Sequence, residues 1–179
     1  MTVARLGTNV YLVGSREQGN NGNSYLVGFN EGFVIIDSGG ISDPLNVARN
    51  VLEVVSRKDL KYLILTSCIP DAAAGAKFLA ETLGVKLLIH ELDASWVRKG
   101  NCMGIEYPPV SPFMVLRGNI EKIGDLLILR TGTPTKGSIM TIKGDYLFSG
   151  SSRISILDTK RIKYVFGLYE YSRSNKHGF

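Results

Sequence analysis

The chain has 179 residues, with 44% apolar and 21% charged positions and a formal net charge of +5. Those figures suit one globular domain, expected to span 1–179, with enough length to bury a core. They exclude a disordered polymer, and no apolar run reaches the roughly 20 residues that a bilayer requires. The N-terminus, Met1-Thr2-Val3-Ala4-Arg5, lacks the basic and apolar regions of a signal peptide, so a cytoplasmic location without membrane contact is expected.

Taken in order, residues 6–13 and 24–27 read as short β-rich runs. They are separated by 14–23, a stretch dense in Gly, Asn and Ser that reads as a loop or hairpin connection. Residues 32–37 form another strand, stopping at Ser38-Gly39-Gly40. The clearest helix is 44–57. There Leu45, Ala48, Val51, Leu52 and Val55 recur every three or four residues, Pro44 fits the first turn, and Asp43 or Ser42 is placed to cap. Residues 62–66 are nearly all apolar, as in a central strand covered on both faces. A helix over 71–83 stops at Gly84, a strand follows at 86–89, and a helix over 91–99 is closed by Gly100.

Residues 101–113 contain Pro108, Pro109 and Pro112 and read as irregular. Beyond them the pattern turns to β, with strands at 125–130, 138–143 and 146–148, a tight turn at Lys143-Gly144-Asp145, and a last β-rich run at 161–171. Helices alternating with strands early, then strands alone, imply two face-to-face sheets with helices outside.

Several of these landmarks together resemble the metallo-β-lactamase fold. They are Asn23-Ser24-Tyr25-Leu26-Val27, the strand Phe33-Val34-Ile35-Ile36 ending in Asp37-Ser38-Gly39, and the strand Leu63-Ile64-Leu65-Thr66. Further on come Val85 through Ala94, then Gly137-Ser138-Ile139 and Leu147-Phe148-Ser149-Gly150. The resemblance implies an α+β, four-layer αββα sandwich in a compact version. It also implies a loop motif, His-x-His-x-Asp-His, that binds one or two zinc ions to activate water. Here that loop reads Ser67-Cys68-Ile69-Pro70-Asp71-Ala72, so only Asp71 matches. The later ligand positions correspond to the loop 131–136, which has no His, to Ser151 and to Leu168.

The resemblance therefore implies a degenerate site and a non-catalytic, metal-free pseudoenzyme that acts as a binding or regulatory module, with no cofactor. The expected cleft residues are Asp37, Ser67, Cys68, Asp71, Pro134, Lys136 and Ser151, and the partner is an unknown protein or a small anionic ligand. Asp71 is expected to cap the following helix. Cys68 and Ser67 are weak candidates for a hydrolase-like nucleophile with altered chemistry, and a Cys68–Cys102 disulfide is left open. Two thiols are too few for a disulfide scaffold. His90 reads as structural or surface, and His177 lies two residues from the end.

The charge is uneven. Residues up to Ser152 hold 15 Lys+Arg and 14 Asp+Glu, whereas 153–179 hold six basic residues against two acidic ones. That basic segment, with Tyr164, Phe166, Tyr169 and Tyr171 interleaved, makes nucleic-acid binding an alternative. The period-two spacing equally suits an ordinary half-buried strand. A homodimer is plausible for so short a version of the fold.

Overall fold

The sheets follow from alternation. In the computed structural model, residues 3–153 and 161–173 are described. The first β-rich run is a hairpin: β1 (Ala4–Gly7) pairs antiparallel with β2 (Val10–Gly14). Its turn places Asn9 at φ 55°, a left-handed conformation that Asn tolerates better than most residues. Antiparallel β3 (Ser24–Phe29) and β4 (Gly32–Ile36) follow. Then come helix α1 (Pro44–Val54) and the parallel strand β5 (Leu60–Ile64).

Asp43 caps α1, its carboxylate accepting from Asn46 N at 3.1 Å. The helix is rotated from the expected face. Leu45 and Leu52 are exposed, while Val47, Ala48, Asn50 and Val51 are buried. Buried Asn50 donates to Val13 O at 2.7 Å, which ties the helix to β2. The helix expected over 71–83 is broken into α2 (Pro70–Ala73) and α3 (Ala76–Leu83) at Gly75. A Cβ at Gly75 would lie 3.0 Å from Ser38 O, so the break lets the chain pass close to the neighbouring loop. Strand β6 (Lys86–His90) leads directly into α4 (Glu91–Lys99).

The Pro-rich segment is more regular than expected. It holds the small hairpin β7 (Asn101–Cys102) and β8 (Ile105–Glu106), and just beyond it β9 (Met114–Leu116) pairs parallel with β6. The first sheet is ordered β1-β2-β3-β4-β5-β6-β9. The second comprises β10 (Ile120–Ile123), β11 (Leu126–Arg130), β12 (Ile139–Lys143), β13 (Tyr146–Gly150), β14 (Tyr164–Gly167) and β15 (Tyr171–Arg173), in that order.

Period-two placement divides the core. Leu26, Ile35, Leu63, Leu65, Leu87 and Ile89 face the helices together with Val51, Leu79 and Val97. Their neighbours Tyr25, Val27, Val34, Ile36, Ile64 and Leu88 face the second sheet and meet Leu126, Ile128, Ile139, Phe148 and Phe166. Each such buried side chain contributes about 1.5–3 kcal/mol from removal of apolar surface from water. Among the described residues, the α-helices all lie between β4 and β9 and cover the outer side of the first sheet. On the far side of the second sheet, Ile162 packs against Met140, Leu147 and Val165.

Candidate functional site

The ends of both sheets meet where the family's metal would lie. Several bonds join them there. Ile139 N donates to Thr66 O at 2.9 Å, Tyr25 Oη donates to Gly167 O at 2.6 Å, and Asn23 N donates to Leu168 O at 2.6 Å. Burial holds the Tyr25 hydroxyl protonated by raising its pKa, so it remains a donor.

The loop after β5 dives into this junction. Ser67 is 1% exposed and its hydroxyl accepts from Ile69 N at 3.4 Å, so it is not the accessible nucleophile considered from the sequence. Cys68 is 0% exposed and bonded to Cys102, with a Cα–Cα distance of 5.9 Å. The free-thiol reading of Cys68 is thereby corrected, because a disulfide sulfur has no thiolate to attack with. The open disulfide question is answered the same way. The bridge ties the β7–β8 hairpin to the foot of the loop, and Tyr107 Oη reinforces it by donating to Cys68 O at 2.6 Å.

Asp93, on α4, organises the other side. One carboxylate oxygen accepts from Cys68 N at 2.8 Å and Thr135 Oγ1 at 2.5 Å, and the other accepts from Gly137 N at 2.9 Å. A Cβ at Gly137 would stand 2.6 Å from the Asp93 carboxyl carbon, so only glycine allows that approach. His90 is buried and structural, accepting from Leu92 N at 3.3 Å at the start of α4.

Asp71 does not cap a helix. It lies in the first turn of α2, whose N-cap Ile69 has no side-chain bond, and its carboxylate accepts from Tyr169 Oη at 2.9 Å. Burial, then the bond to Asp71, raises the Tyr169 pKa to about 12, which keeps the phenol a donor at neutral pH. The Arg16 guanidinium stands over the Tyr169 ring, 5.5 Å from its centroid.

Two depressions share this pair. A groove of about 390 Å³ is lined by Ile69, Pro70, Asp71, Met103, Ile105, Pro134, Ser151 and Tyr169. A polar hollow of about 520 Å³ lies alongside, lined by Arg16, Gly19, Asn20, Asn21, Asp71 and Tyr169. Of the residues expected in the cleft, Asp71, Pro134 and Ser151 line the groove. Asp37, Ser67 and Cys68 are buried and do not line it, and Lys136 is exposed and does not line it either. Asp37 accepts from Thr66 N and Thr66 Oγ1, both at 2.7 Å, and burial pushes its carboxyl up to about 7.

Arg130 is engaged within its own loop, donating to Lys136 O at 2.8 Å and Asn119 Oδ1 at 3.3 Å. Sequence reasoning missed Arg16 as a site residue, whereas Met103 and Ile105 belong to the Pro-rich segment 101–113 that the sequence offers as a rim of the cleft. Met103 and Gly104, both at positive φ, form the two-residue turn of the β7–β8 hairpin and leave the Met103 side chain exposed. In the basic C-terminal run, Tyr164 and Phe166 stack between the sheets and Lys163 pairs with Asp145 at 3.4 Å. Residues 154–160 and 174–179, including Lys160, Lys176 and His177, lie outside the described residues.

A profile of the metallo-beta-lactamase superfamily matches residues 18–150, and the chain belongs to that family. The fold is shared with solved metallo-β-lactamases. One from Cronobacter sakazakii, named for a HARLDQ motif, has TM-score 0.75 and 14% identity over 93% of this chain and 77% of its own. SMB-1 in complex with mercaptoacetic acid has TM-score 0.77 and 17% identity, covering 94% and 80%. GOB-18 from Elizabethkingia meningoseptica has TM-score 0.70 and 21% identity, covering 89% and 67%. No curated protein matches the sequence.

The residues at the family's metal position do not fit zinc, which needs about three or four nitrogen, sulfur or carboxylate donors. Cys68 sulfur is spent in a disulfide, Ser67 is buried, and Ile69, Ala72 and Leu168 have no donor atom. Asp71 is left as the carboxylate. Among the described residues, no group of three or more His, Cys, Asp or Glu converges anywhere.

Proposed function

We propose that this protein is a metal-free, non-catalytic member of the metallo-β-lactamase superfamily that binds a small molecule in the groove beside Asp71. One observation carries the reading. Apolar Ile69, Pro70, Met103, Ile105 and Pro134 surround a single carboxylate where a hydrolase of this fold would gather metal ligands. Such a lining suits ligand burial, with a few polar groups to orient it. Without a coordinated cation, nothing here lowers the pKa of a water molecule toward neutrality.

The test is elemental analysis of the full chain after purification without chelator and incubation with zinc. Metal well below stoichiometric is expected. About one equivalent of tightly held zinc, iron or manganese overturns the reading.

A cytoplasmic location is retained as part of this proposal. The Cys68–Cys102 bridge weighs against it, because glutathione keeps most cytosolic thiols reduced. Among the described residues, no helix is long and apolar enough to cross a membrane.

A further inference from the structure

We propose that the groove and the adjoining hollow together take one amphipathic zwitterion, an α-amino acid with an apolar side chain. The inference rests on the binding reading above and names its ligand class.

Asp71 and Tyr169 border both depressions, so one ligand can occupy both while touching this pair. On the groove side the lining is apolar. The hairpin tip Met103 and Ile105 are 70% and 55% exposed, an unusual presentation that burial against a hydrocarbon side chain would relieve. On the hollow side stand two opposite charges. Asp71 carries the negative charge. Its carboxylate accepts from Tyr169, which leaves acceptor capacity for an ammonium group. Arg16 carries the positive charge. Its guanidinium forms no ion pair among the described residues and offers a planar fork suited to a carboxylate.

The hollow is built rather than incidental. Asn20 Oδ1 accepts from Asn21 N at 3.1 Å and Gly40 N at 3.0 Å, and Ser42 Oγ donates to Asn21 Oδ1 at 2.5 Å. A Cβ at Gly39 would come within 2.1 Å of Asn20 Nδ2, and one at Gly40 within 2.2 Å of Asn21 Oδ1. The loop bearing Arg16 is thus locked onto the loop after β4. A Cβ at Gly22 would fall 2.4 Å from Asp71 O, so the same loop also lies directly against the Asp71 backbone. The two charges are held by packed loops and need no metal to position them.

Isothermal titration of the full chain with L-leucine tests this, alongside N-acetyl-L-leucine, which lacks the ammonium group, and L-leucinamide, which lacks the carboxylate. Leucine is expected to bind. Each blocked derivative, and leucine with Asp71→Asn or Arg16→Gln, is expected to bind about tenfold or more weakly, the loss of one charge-assisted contact. Both substitutions are at partly or fully exposed positions, and thermal melts check that each variant remains folded. No leucine binding overturns the inference, and so does equal binding of the blocked derivatives. A metal-free protein that ignores leucine loses this inference alone, whereas stoichiometric metal removes the parent reading.

Discussion

Cys68 and Cys102 are joined across 34 positions of sequence, and their bond pins the β7–β8 hairpin to the foot of the loop after β5. Closing a loop of that size restricts the unfolded chain by about 3–4 kcal/mol on the chain-entropy account. Reduction, or Cys102→Ser, is expected to lower the melting temperature by roughly 10 °C. Thermal melts with and without dithiothreitol check this. The reductant should have no further effect on the variant, and a wild-type melt insensitive to reductant would contradict the bridge.

Asp37 gives the protein a pH-dependent stability of unusual sign. Its carboxyl is raised to about 7 in the folded state, against 3.8 in the unfolded chain. Between those values the folded protein keeps a proton that the unfolded chain has released. The stability from this group is therefore complete below about pH 4 and is lost as pH rises toward about 7, at no more than about 1.4 kcal/mol per pH unit. Asp37→Asn should flatten that slope. Urea midpoints of both proteins across this range are the measurement, and parallel curves would disprove the assignment.

Asp93 holds Cys68, Thr135 and Gly137 at once. Asp93→Ala strands two buried backbone N–H groups, each costing about 1–3 kcal/mol when unsatisfied. A loss of several kcal/mol in urea unfolding is expected. Asp93→Asn, which keeps an acceptor oxygen, should lose less. Equal losses in the two variants would show that side-chain volume matters more than the accepted bonds.

Chelators offer a separate check. If no cation braces the junction of the sheets, EDTA should leave the melting temperature unchanged, and added zinc should not raise it, since a ligand stabilises only what it binds. A zinc-dependent rise would expose donors beyond those identified.

The fold was legible where patterning is local. Pro44 with Asp43 marked the start of α1, and the continuous apolar runs at 33–36 and 63–65 marked the central strands, which are covered on both faces. Its buried face was misread because Asn50 is drawn inward by a carbonyl on a distant strand, which no periodicity encodes. Strand β9 has only three residues and follows the prolines directly, and it is paired on one side, by β6. That Ile69 and Ala72 carry no coordinating side-chain atom is a matter of residue type alone. The partner of Asp71 is not, since Tyr169 lies 98 positions away. The loop holding Arg16 and Asn20 looked like turn chemistry, and only its contact with Gly39 and Gly40 gives it a wall.

The backbone bond from Ile139 to Thr66, with the bond from the Tyr25 hydroxyl to Gly167 O, makes each sheet a lever on the other. Where a hydrolase of this shape would rely on a cation as its rivet, the proposed metal-free reading makes the interior itself the rivet. Thinning the aromatic cluster of Tyr25, Phe148 and Phe166 deep below should thus retune what the surface can grip, well before the molecule comes apart.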